Sequence, residues 1–412
     1  MKILAIGDTA DNIFTLKKFF KKSKIHLITF PRKGDALFTY SEEGVEFFDT
    51  LLISKQVKKI RSIKDNFDLC FVIGWAAARV AYLAGLNYIM YFVGGDITTP
   101  PFLRYQKISY LDKPVSEKKI IERWFYRKIF DKAIRWVTTS KEFHDKLIKY
   151  RKDGIRIDRV IVDNKLFNES IEPIKLEKKK FTFLSAQRFG LEKGHDIIWE
   201  AIKFCKSDFE ILQMEWFIEN NNEEKEINQK LIREKPDQVK FIPLVKRNEL
   251  PKYYAFADAV MGQMRAGGQG AVEREAAFCK KPVICYTDPK QTVIIDGEEI
   301  SPPFLPKSKD PQTLARLIDR IVDSKEFRQE LVDSQYAYIQ NLSEPDKVVS
   351  EWEKIFEKEF NKYRTINRKT NYLILKLENF LAFLMEEVYY KRKMREKNIE
   401  AWGELEYKRL MK

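Results

Sequence analysis

The sequence contains few residues of the kinds that bind metals or form disulfides. Its 412 residues include only four cysteines and three histidines, with no CxxC or Cys/His spacing among them. A disulfide framework and a zinc site are therefore not expected, and the composition fits a reducing, cytoplasmic compartment. The sequence also lacks a Walker P-loop, a Ser/His/Asp set and the paired carboxylates of glycoside hydrolases.

Long hydrophobic runs are scarce as well. The N-terminus reads MKILAIGD, and its apolar run is too short for a signal peptide. Residues 69–95 have the length of a membrane span and carry Arg79 as their single charge. Gly74 and Gly85 divide this stretch into strand-sized and helix-sized pieces, and an arginine near its centre is costly in a bilayer. The interpretation favoured here is a buried strand–helix–strand unit.

Charge is unevenly distributed along the chain. The net charge is +14, but residues 1–170 hold 32 Lys/Arg against 20 Asp/Glu, and residues 364–412 hold 12 against 7. Residues 171–363 hold 31 against 34. The excess predicts an anionic surface or substrate for the first half and the tail, either membrane or nucleic acid. A generally basic proteome is the alternative explanation.

Both halves of the chain alternate apolar strands with amphipathic helices, a pattern typical of parallel, doubly wound sheets. The strands predicted in the first half cover residues 2–6, 26–30, 69–73, 88–93 and 135–139, and those in the second cover 181–185, 209–214, 239–242 and 259–261. The expected fold class is α/β, with two Rossmann-like domains facing a central cleft and a C-terminal helical tail. A ligand should bind at the carboxyl ends of the strands.

The predicted boundaries follow from composition. The charged stretch EPIKLEKKK separates a first domain, residues 1–170, from a second domain, residues 171–345. Residues 346–363 are predicted to form an amphipathic crossover helix, and residues 364–412 a basic helical tail.

The tail carries an apolar stripe at helical spacing, flanked by basic residues. This pattern is typical of an interfacial membrane helix, and equally of a helix that packs on the first domain or forms a dimer. The stripe comprises Leu373, Leu377, Phe380, Leu384 and Val388, and the flanks comprise Arg364, Arg368, Lys369, Lys391, Arg392, Lys393 and Arg395.

Two motifs in the second half carry the chemistry. Residues 267–286 read GGQGAVEREAAFCKKPVICY, in which glycines precede a helix and an apolar strand follows it. Glycines before a helix expose backbone N–H groups, and a helix N-terminus favours anions. Residues 185–196 read SAQRFGLEKGHD and place Arg188 and Lys193 after another strand. Together the two motifs predict half of a nucleotide-sugar site.

In these motifs, and in VKFIPLVKRNELPKYYAFADAVM between them, the chain resembles the GT-B glycosyltransferases, specifically the large retaining group called family 4. The resemblance covers roughly residues 180–325. It implies that residues 1–170 form the acceptor-side domain and residues 171–345 the donor-binding domain. The middle segment resembles the family's base-binding loop.

The resemblance assigns roles to several residues. Arg188 and Lys193 would bind the donor diphosphate and stabilise the charge of the leaving group. Glu275 would accept hydrogen bonds from the ribose hydroxyls, whereas Glu273 is interpreted as a surface charge. The family's first glutamate, separated from Glu275 by seven residues, is replaced by Gly267. The backbone N–H groups of the glycine-rich stretch would then take over some sugar contacts, at Gly267, Gly268, Gln269 and Gly270.

Two residues of the first half complete the predicted site. Asp96, in the sequence VGGDI, resembles the end of a family loop that faces the cleft, and it would either contact the sugar or the acceptor hydroxyl or merely cap the following turn. Gly7 follows the first strand, where this fold brings backbone amides toward the donor phosphates. Solvated strand-end charges and an ordinary first-turn glutamate are the structural alternatives for Arg188, Lys193 and Glu275.

The resemblance implies transfer of a hexose-type sugar from a nucleotide-diphosphate sugar to a hydroxyl of a glycan, lipid-linked or polysaccharide acceptor in cell-envelope glycan biosynthesis. Retention and independence of metal are expected, with no cofactor and no nucleic-acid partner. The predicted location is cytoplasmic, with peripheral contact to the inner face of the membrane. The alternatives are a sugar-nucleotide epimerase of the same fold and a non-catalytic GT-B-like binding or scaffold protein.

Overall fold

The computed structural model describes residues 1–30, 44–50, 52–108, 111–217, 222–365, 373–381 and 383–384. Two parallel sheets organise these residues, and each is covered by helices on both faces. The expected α/β class with two Rossmann-like domains is therefore confirmed.

The first sheet has seven parallel strands. From edge to edge they are β3 (Val45–Phe47), β2 (Lys24–Thr29), β1 (Lys2–Ile6), β4 (Leu69–Ile73), β5 (Tyr88–Phe92), β8 (Arg135–Thr138) and β9 (Ile155–Arg156). The helices between them are α1 (Asn12–Phe19), α2 (Ile53–Ile63), α3 (Trp75–Ala84), α4 (Gly95–Thr98), α5 (Ile120–Lys132) and α6 (Lys141–Leu147). An antiparallel hairpin, β6 (Leu103–Ile108) and β7 (Leu111–Glu117), lies outside the sheet.

The long apolar run of the first half forms a strand–helix–strand unit, as predicted. Every residue of β4 and β5 is buried, since both strands lie inside the sheet and carry helices on both faces. Ser140 caps α6 as its sequence predicts, because its hydroxyl accepts a hydrogen bond from the Phe143 N–H at 3.3 Å.

The second sheet has five parallel strands. In order they are β12 (Val239–Ile242), β11 (Phe209–Met214), β10 (Phe181–Ser185), β13 (Ala259–Met261) and β14 (Val283–Ile284). Its helices are α7 (His195–Ile202), α8 (Asn222–Arg233), α9 (Leu250–Phe256), α10 (Ala271–Phe278), α11 (Pro311–Asp323) and α12 (Lys325–Ser343). A second hairpin joins β15 (Val293–Ile295) to β16 (Glu298–Ile300).

The helix α13 (Pro345–Thr365) returns the chain to the first domain. Its residue Trp352 is fully buried in the core of the first sheet, with its ring centroid 4.7 Å from that of Phe71 and 4.8 Å from that of Tyr91. A buried ion pair between Glu359 and Arg135, with a 2.7 Å contact, fixes the far end of the helix. The segment that follows the second domain in sequence thus completes the core of the first.

Residues 373–381 form a helix, here called the tail helix, that lies on the first domain. Its Glu378 contacts Tyr82 of α3 and Lys128 of α5, and Asn379 donates a hydrogen bond to the Leu83 carbonyl. The stripe residues Leu373, Leu377, Phe380 and Leu384 are exposed, so a different helical face makes the contact. Val388 and all the flanking basic residues except Arg364 lie outside the described residues.

None of the helices in the described ranges is long and apolar enough to cross a membrane.

We expect Trp352→Ala to destabilise the first domain by about 3–5 kcal/mol, because the substitution leaves an aromatic-sized cavity between α13 and the sheet. Urea unfolding followed by circular dichroism measures this loss. The matched control is Glu357→Ala, at an exposed position of the same helix, which should change stability by less than about 0.5 kcal/mol. Equal effects of the two substitutions would contradict the role assigned to α13.

Candidate functional site

A cleft lies where the strand ends of the second sheet meet a loop of the first domain. Its cavity volume is about 120 Å³, which is smaller than the roughly 300–1,000 Å³ that is usual for small-molecule sites. The second domain contributes most of the lining, and Ala10 comes from the loop after β1. The polar and charged lining residues are Gln187, Arg188, Lys193, Arg247, Glu273 and Glu275.

His195 connects the loop that carries Arg188 and Lys193 to the neighbouring strand β11 through hydrogen bonds. This histidine is fully buried; its Nδ1 lies 3.2 Å from the Gly190 N–H and its Nε2 lies 2.8 Å from Gln213 Oε1. Burial lowers the pKa of His195 to about 4, so the ring is neutral and donates to Gln213 while accepting from Gly190. Positive φ angles at Gly190 and Gly194 turn the backbone before and after Lys193.

Lys193 is a cation without a counter-ion in the parts of the chain that the structure describes. Its ammonium group makes no ion pair or hydrogen bond there, although the side chain lines the cleft. Burial lowers the pKa of Lys193; the nearby charge of Glu273 opposes this shift, and that of Arg188 adds to it. Arg188 is half-buried and contacts Glu192 at 3.2 Å. Lys193 therefore offers the cleft a cation that no described carboxylate pairs directly, which favours an anionic ligand.

The helix α10 presents its N-terminus to the same cleft through Ala271 and Val272. The interpretation of Glu273 as a surface charge is wrong. Its side chain is 2% exposed and accepts hydrogen bonds from the N–H groups of Gly270, at 2.8 Å, and Gln263, at 2.9 Å. Glu273 thus caps the helix and fixes the glycine-rich loop against β13.

Glu275 is buried at the edge of the cleft and has one carboxylate oxygen left over. Its Oε1 accepts a hydrogen bond from Arg247, whereas its Oε2 has no hydrogen-bond partner among the described residues. The same holds for Gln187 Oε1, in the same cleft. Burial raises the pKa of Glu275 to about 7, although Arg247 opposes that shift. A buried acceptor without a donor is costly, so both oxygens indicate a ligand that donates hydrogen bonds.

Arg247 joins the two domains, and sequence reasoning missed it. Its Nε lies 3.2 Å from Asp11 Oδ2 of the first domain, while its other end holds Glu275. Ala10 and Asp11 both adopt left-handed backbone conformations, with φ of 51° and 54°, which non-glycine residues seldom do. The only sequence signal was the position of Arg247 within the loop that resembles the family's base-binding loop.

Gly267 has no room for a side chain. Its φ is +80°, and a Cβ there would lie 2.8 Å from the Cβ of Asp288 and 3.2 Å from the ring of Tyr286. The Gly267 carbonyl accepts a hydrogen bond from the Asp288 N–H at 3.0 Å. The glutamate of the family pattern is therefore excluded by this loop geometry as well as absent from the sequence. Among the four glycine-rich residues predicted to bind the donor, Gly270 lines the cleft; Gly267, Gly268 and Gln269 are not lining residues.

Asp96 and Gly7 lie at strand ends of the first domain, and local contacts engage both. The Asp96 carboxylate accepts hydrogen bonds from the N–H groups of Gly94, at 3.0 Å, and Ile97, at 3.1 Å. These bonds cap the following turn, which is one of the two roles expected for Asp96 from sequence. Burial raises the pKa of Asp96 to about 6. The Gly7 N–H donates to the Ile28 carbonyl at 2.8 Å, and a Cβ at Gly7 would lie 2.7 Å from the Ile73 carbonyl. Donor contacts of these two residues stay predictions.

Within the described ranges, no group of three or more His, Cys, Asp or Glu side chains could hold a metal ion.

The fold is that of the GT-B enzymes, and most of the second domain matches a known family model. Residues 167–338 match the family described as "Glycosyl transferases group 1". This match supports a glycosyl-transfer function and confirms the resemblance to GT-B glycosyltransferases. A comparison with curated proteins finds no match.

Solved structures with this fold include HepE from Anabaena in complex with UDP and glucose, which is 16% identical, with a TM-score of 0.62 over 87% of this chain and 100% of that one. Sucrose-phosphate synthase from Thermosynechococcus elongatus is also 16% identical, with a TM-score of 0.60 over 88% and 100%. A putative UDP-N-acetylglucosamine 2-epimerase from Listeria monocytogenes is 12% identical, with a TM-score of 0.52 over 87% and 97%. At these identities the likeness shows the fold.

Gly267→Glu, which restores the family's missing residue, should impair the protein. The substitution forces a side chain into a left-handed position against Asp288, so we expect a loss of about 1–3 kcal/mol of stability and no gain in activity. Thermal unfolding measures the effect, and Gly267→Ala should show most of it. Gly268→Ala is the matched control, because a Cβ there meets nothing within 4 Å. A stable and more active Gly267→Glu variant would contradict this geometry.

His195 should make stability depend on pH. Its pKa is lower in the folded chain than in the unfolded chain, so the stabilisation is complete above the unfolded value and is lost as pH falls toward the folded value near 4. Between about pH 7 and pH 5 this linkage amounts to about 2 kcal/mol. Urea unfolding at both pH values measures it. His195→Gln should change the difference in stability between these two pH values by about 2 kcal/mol relative to the wild type, whereas His26→Gln, at an exposed position, should leave that difference unchanged; equal slopes in all three proteins would refute the assignment.

Proposed function

We propose that this protein transfers a sugar from a nucleoside-diphosphate sugar to a hydroxyl acceptor. One observation carries the proposal: a single cleft combines the uncompensated cation Lys193 with the unsatisfied acceptors Glu275 Oε2 and Gln187 Oε1. A ligand that satisfies them must be anionic at one end and rich in hydroxyl donors at the other. A nucleoside diphosphate has this combination, and the family of the second domain agrees with it.

The diphosphate would bind between Arg188, Lys193 and the N-terminus of α10. Negative charge develops on the leaving diphosphate during transfer, and fixed cations in a partly dry cleft stabilise it without reorganisation. The N–H groups at the start of α10 add a partial positive charge on the same side. Because these groups supply the compensation, we propose a reaction that needs no metal ion.

The ribose would bind to Glu275, and Arg247 is the residue that positions this carboxylate. Arg247 engages Oε1, which leaves Oε2 for a ribose hydroxyl. Trp216 lines the same cleft and offers an aromatic surface to the base. UDP is the first nucleotide to test, since solved structures of this fold include complexes with UDP.

The transferred sugar would contact backbone N–H groups of the glycine-rich stretch, because no side chain fits at Gly267. For the chemistry we propose retention, with the leaving phosphate taking the proton of the acceptor hydroxyl. Asp96 would hold the loop after β5 at the acceptor side and Gly7 would allow β1 to turn into the cleft. The acceptor proposed is a glycan, lipid-linked or polysaccharide hydroxyl in cell-envelope glycan synthesis, reached from the cytoplasmic side.

The two alternatives are less well supported. A sugar-nucleotide epimerase needs acid/base groups near the sugar, but none of the three histidines, all of which lie in the described residues, lines the cleft. A non-catalytic scaffold would have no reason to hold Lys193 in the cleft without an ion pair to a described carboxylate.

We expect calorimetric titration with a panel of nucleoside diphosphates to show binding by at least one of them, with UDP the first candidate. Arg188→Ala and Lys193→Ala should each weaken its affinity about 10-fold to 100-fold, since each removes a charge-assisted contact. Glu275→Gln should weaken the affinity about 10-fold. The same cation variants should lower the rate of sugar transfer or donor hydrolysis by about 100-fold.

Lys203→Ala is the matched control for the cation variants. Lys203 is exposed directly after α7 of the same domain and pairs only with Glu200 in the described chain. Its removal should leave affinity unchanged. Absence of binding by every nucleotide, or equal affinity of the wild type and Arg188→Ala, would overturn the proposed function.

A further inference from the structure

Large exposed apolar side chains cluster on one side of the first domain. Of the 16 such side chains in the described residues, ten lie in residues 115–124 and 373–384. The other six are scattered along the rest of the chain. Scattered exposed apolar residues are normal in a water-soluble protein, whereas a contiguous group of them marks an interaction surface.

The two segments are brought together by contacts of Lys128. Its ammonium group lies 2.5 Å from Glu378 Oε1 of the tail helix and 4.2 Å above the ring of Trp124 on its own helix, α5. Glu378 is 3% exposed and Leu375 packs against Gly85, so the inner face of the tail helix is committed to the first domain. The opposite face is consequently turned outward beside α5.

Each helix presents one apolar face. On α5 the exposed residues are Ile120, Ile121 and Trp124, which follow one another at helical spacing. On the tail helix and its continuation they are Leu377, Phe380, Leu381 and Leu384, with the same spacing. We call these seven residues the apolar surface.

The surroundings of the apolar surface are basic. Residues 115–132 contain six Lys/Arg against three Asp/Glu, an excess of three cations, although Lys118 pairs with Glu122 and Arg123 with Glu117. Lys119 and Lys376 lie beside the exposed apolar residues in sequence. The one acidic residue of the described tail helix, Glu378, is buried and paired with Lys128. An apolar face with aromatic residues and a basic rim is the arrangement that binds an anionic bilayer surface, where the apolar groups enter the acyl boundary and the lysines meet headgroups.

We propose that the apolar surface formed by α5 and the tail helix docks the protein on an anionic lipid bilayer. The apolar surface would contact one leaflet of the bilayer and not span both, since the tail helix packs against the first domain along its inner face. The charge excess of the first domain, with 32 Lys/Arg against 20 Asp/Glu in residues 1–170, favours the same partner. This inference does not depend on which nucleotide or sugar the cleft takes.

Flotation of the full chain with lipid vesicles tests the proposal. The wild type should bind phosphatidylcholine vesicles that contain phosphatidylglycerol. Its affinity for pure phosphatidylcholine vesicles should be at least about fivefold lower, because each basic residue near an anionic surface raises the affinity about fivefold. The double variant Leu377→Asp with Phe380→Asp should lower the affinity for anionic vesicles at least about tenfold. The matched control is Leu176→Asp with Phe204→Asp, at exposed positions of the other domain, which should bind as the wild type does.

A second measurement reports on α5 without disturbing the tail. Brominated lipids should quench part of the tryptophan fluorescence of the wild type and less of it in Trp124→Phe. The proposal would be overturned if the wild type failed to bind anionic vesicles, or if the wild type and the Leu377/Phe380 variant bound them equally. It would also be overturned if the wild type were a dimer that the same variant dissociates without any change in vesicle binding. The last result would assign the surface to a second copy of the chain.

Discussion

Arg247 is the constraint on which the arrangement of the cleft depends. One guanidinium contacts Asp11 of the first domain and Glu275 of the second, and all three side chains are largely excluded from water. Two carboxylates would repel each other across the cleft without the cation between them, because charges separated by a few ångströms interact strongly in a medium of low dielectric. The bridge therefore sets the distance between the domains and also the orientation of Glu275.

The bridge links local backbone strain to the site. The loop after β1 reaches Arg247 only with Ala10 and Asp11 in left-handed conformations. Asp8 stabilises this loop, since its carboxylate accepts hydrogen bonds from the N–H groups of Ile13 and Phe14, both at 2.9 Å. In the first domain, the N–H groups at the start of α1 therefore donate to Asp8 of the same domain. In the second domain, the start of α10 faces the cleft, where a ligand can reach it. This asymmetry places the proposed phosphate site in the second domain.

Much of the fold could be predicted from sequence, and the elements that were not predicted were missed for physical reasons. The central strands of both sheets are continuous apolar runs, so periodicity and burial located them almost to the residue. The edge strands β3 and β9 and the two hairpins were not predicted, because they are short and their residues are only partly buried. The tail was predicted as an amphipathic helix, but its apolar stripe faces outward, and the packed face uses Leu375, Glu378 and Asn379, a set that no hydrophobicity pattern selects.

The site could be predicted only where local sequence determines it. Arg188, Lys193 and Glu275 follow strands or glycines at recognisable spacings, and all three line one cleft. Arg247 could not be found in this way, since its partners lie 236 residues before it and 28 residues after it in the chain. Glu273 was misjudged because its surroundings, a buried turn next to β13, arise from tertiary packing.

A crystal structure of the protein with bound nucleoside diphosphate would test the central claim most directly. The account predicts a ribose hydroxyl within hydrogen-bond distance of Glu275 Oε2, phosphate oxygens beside Lys193 Nζ and the Arg188 guanidinium, and an intact contact between Arg247 and Glu275 Oε1. A nucleotide bound outside this cleft, or one whose ribose displaces Arg247 while Oε2 stays without a partner, would contradict it.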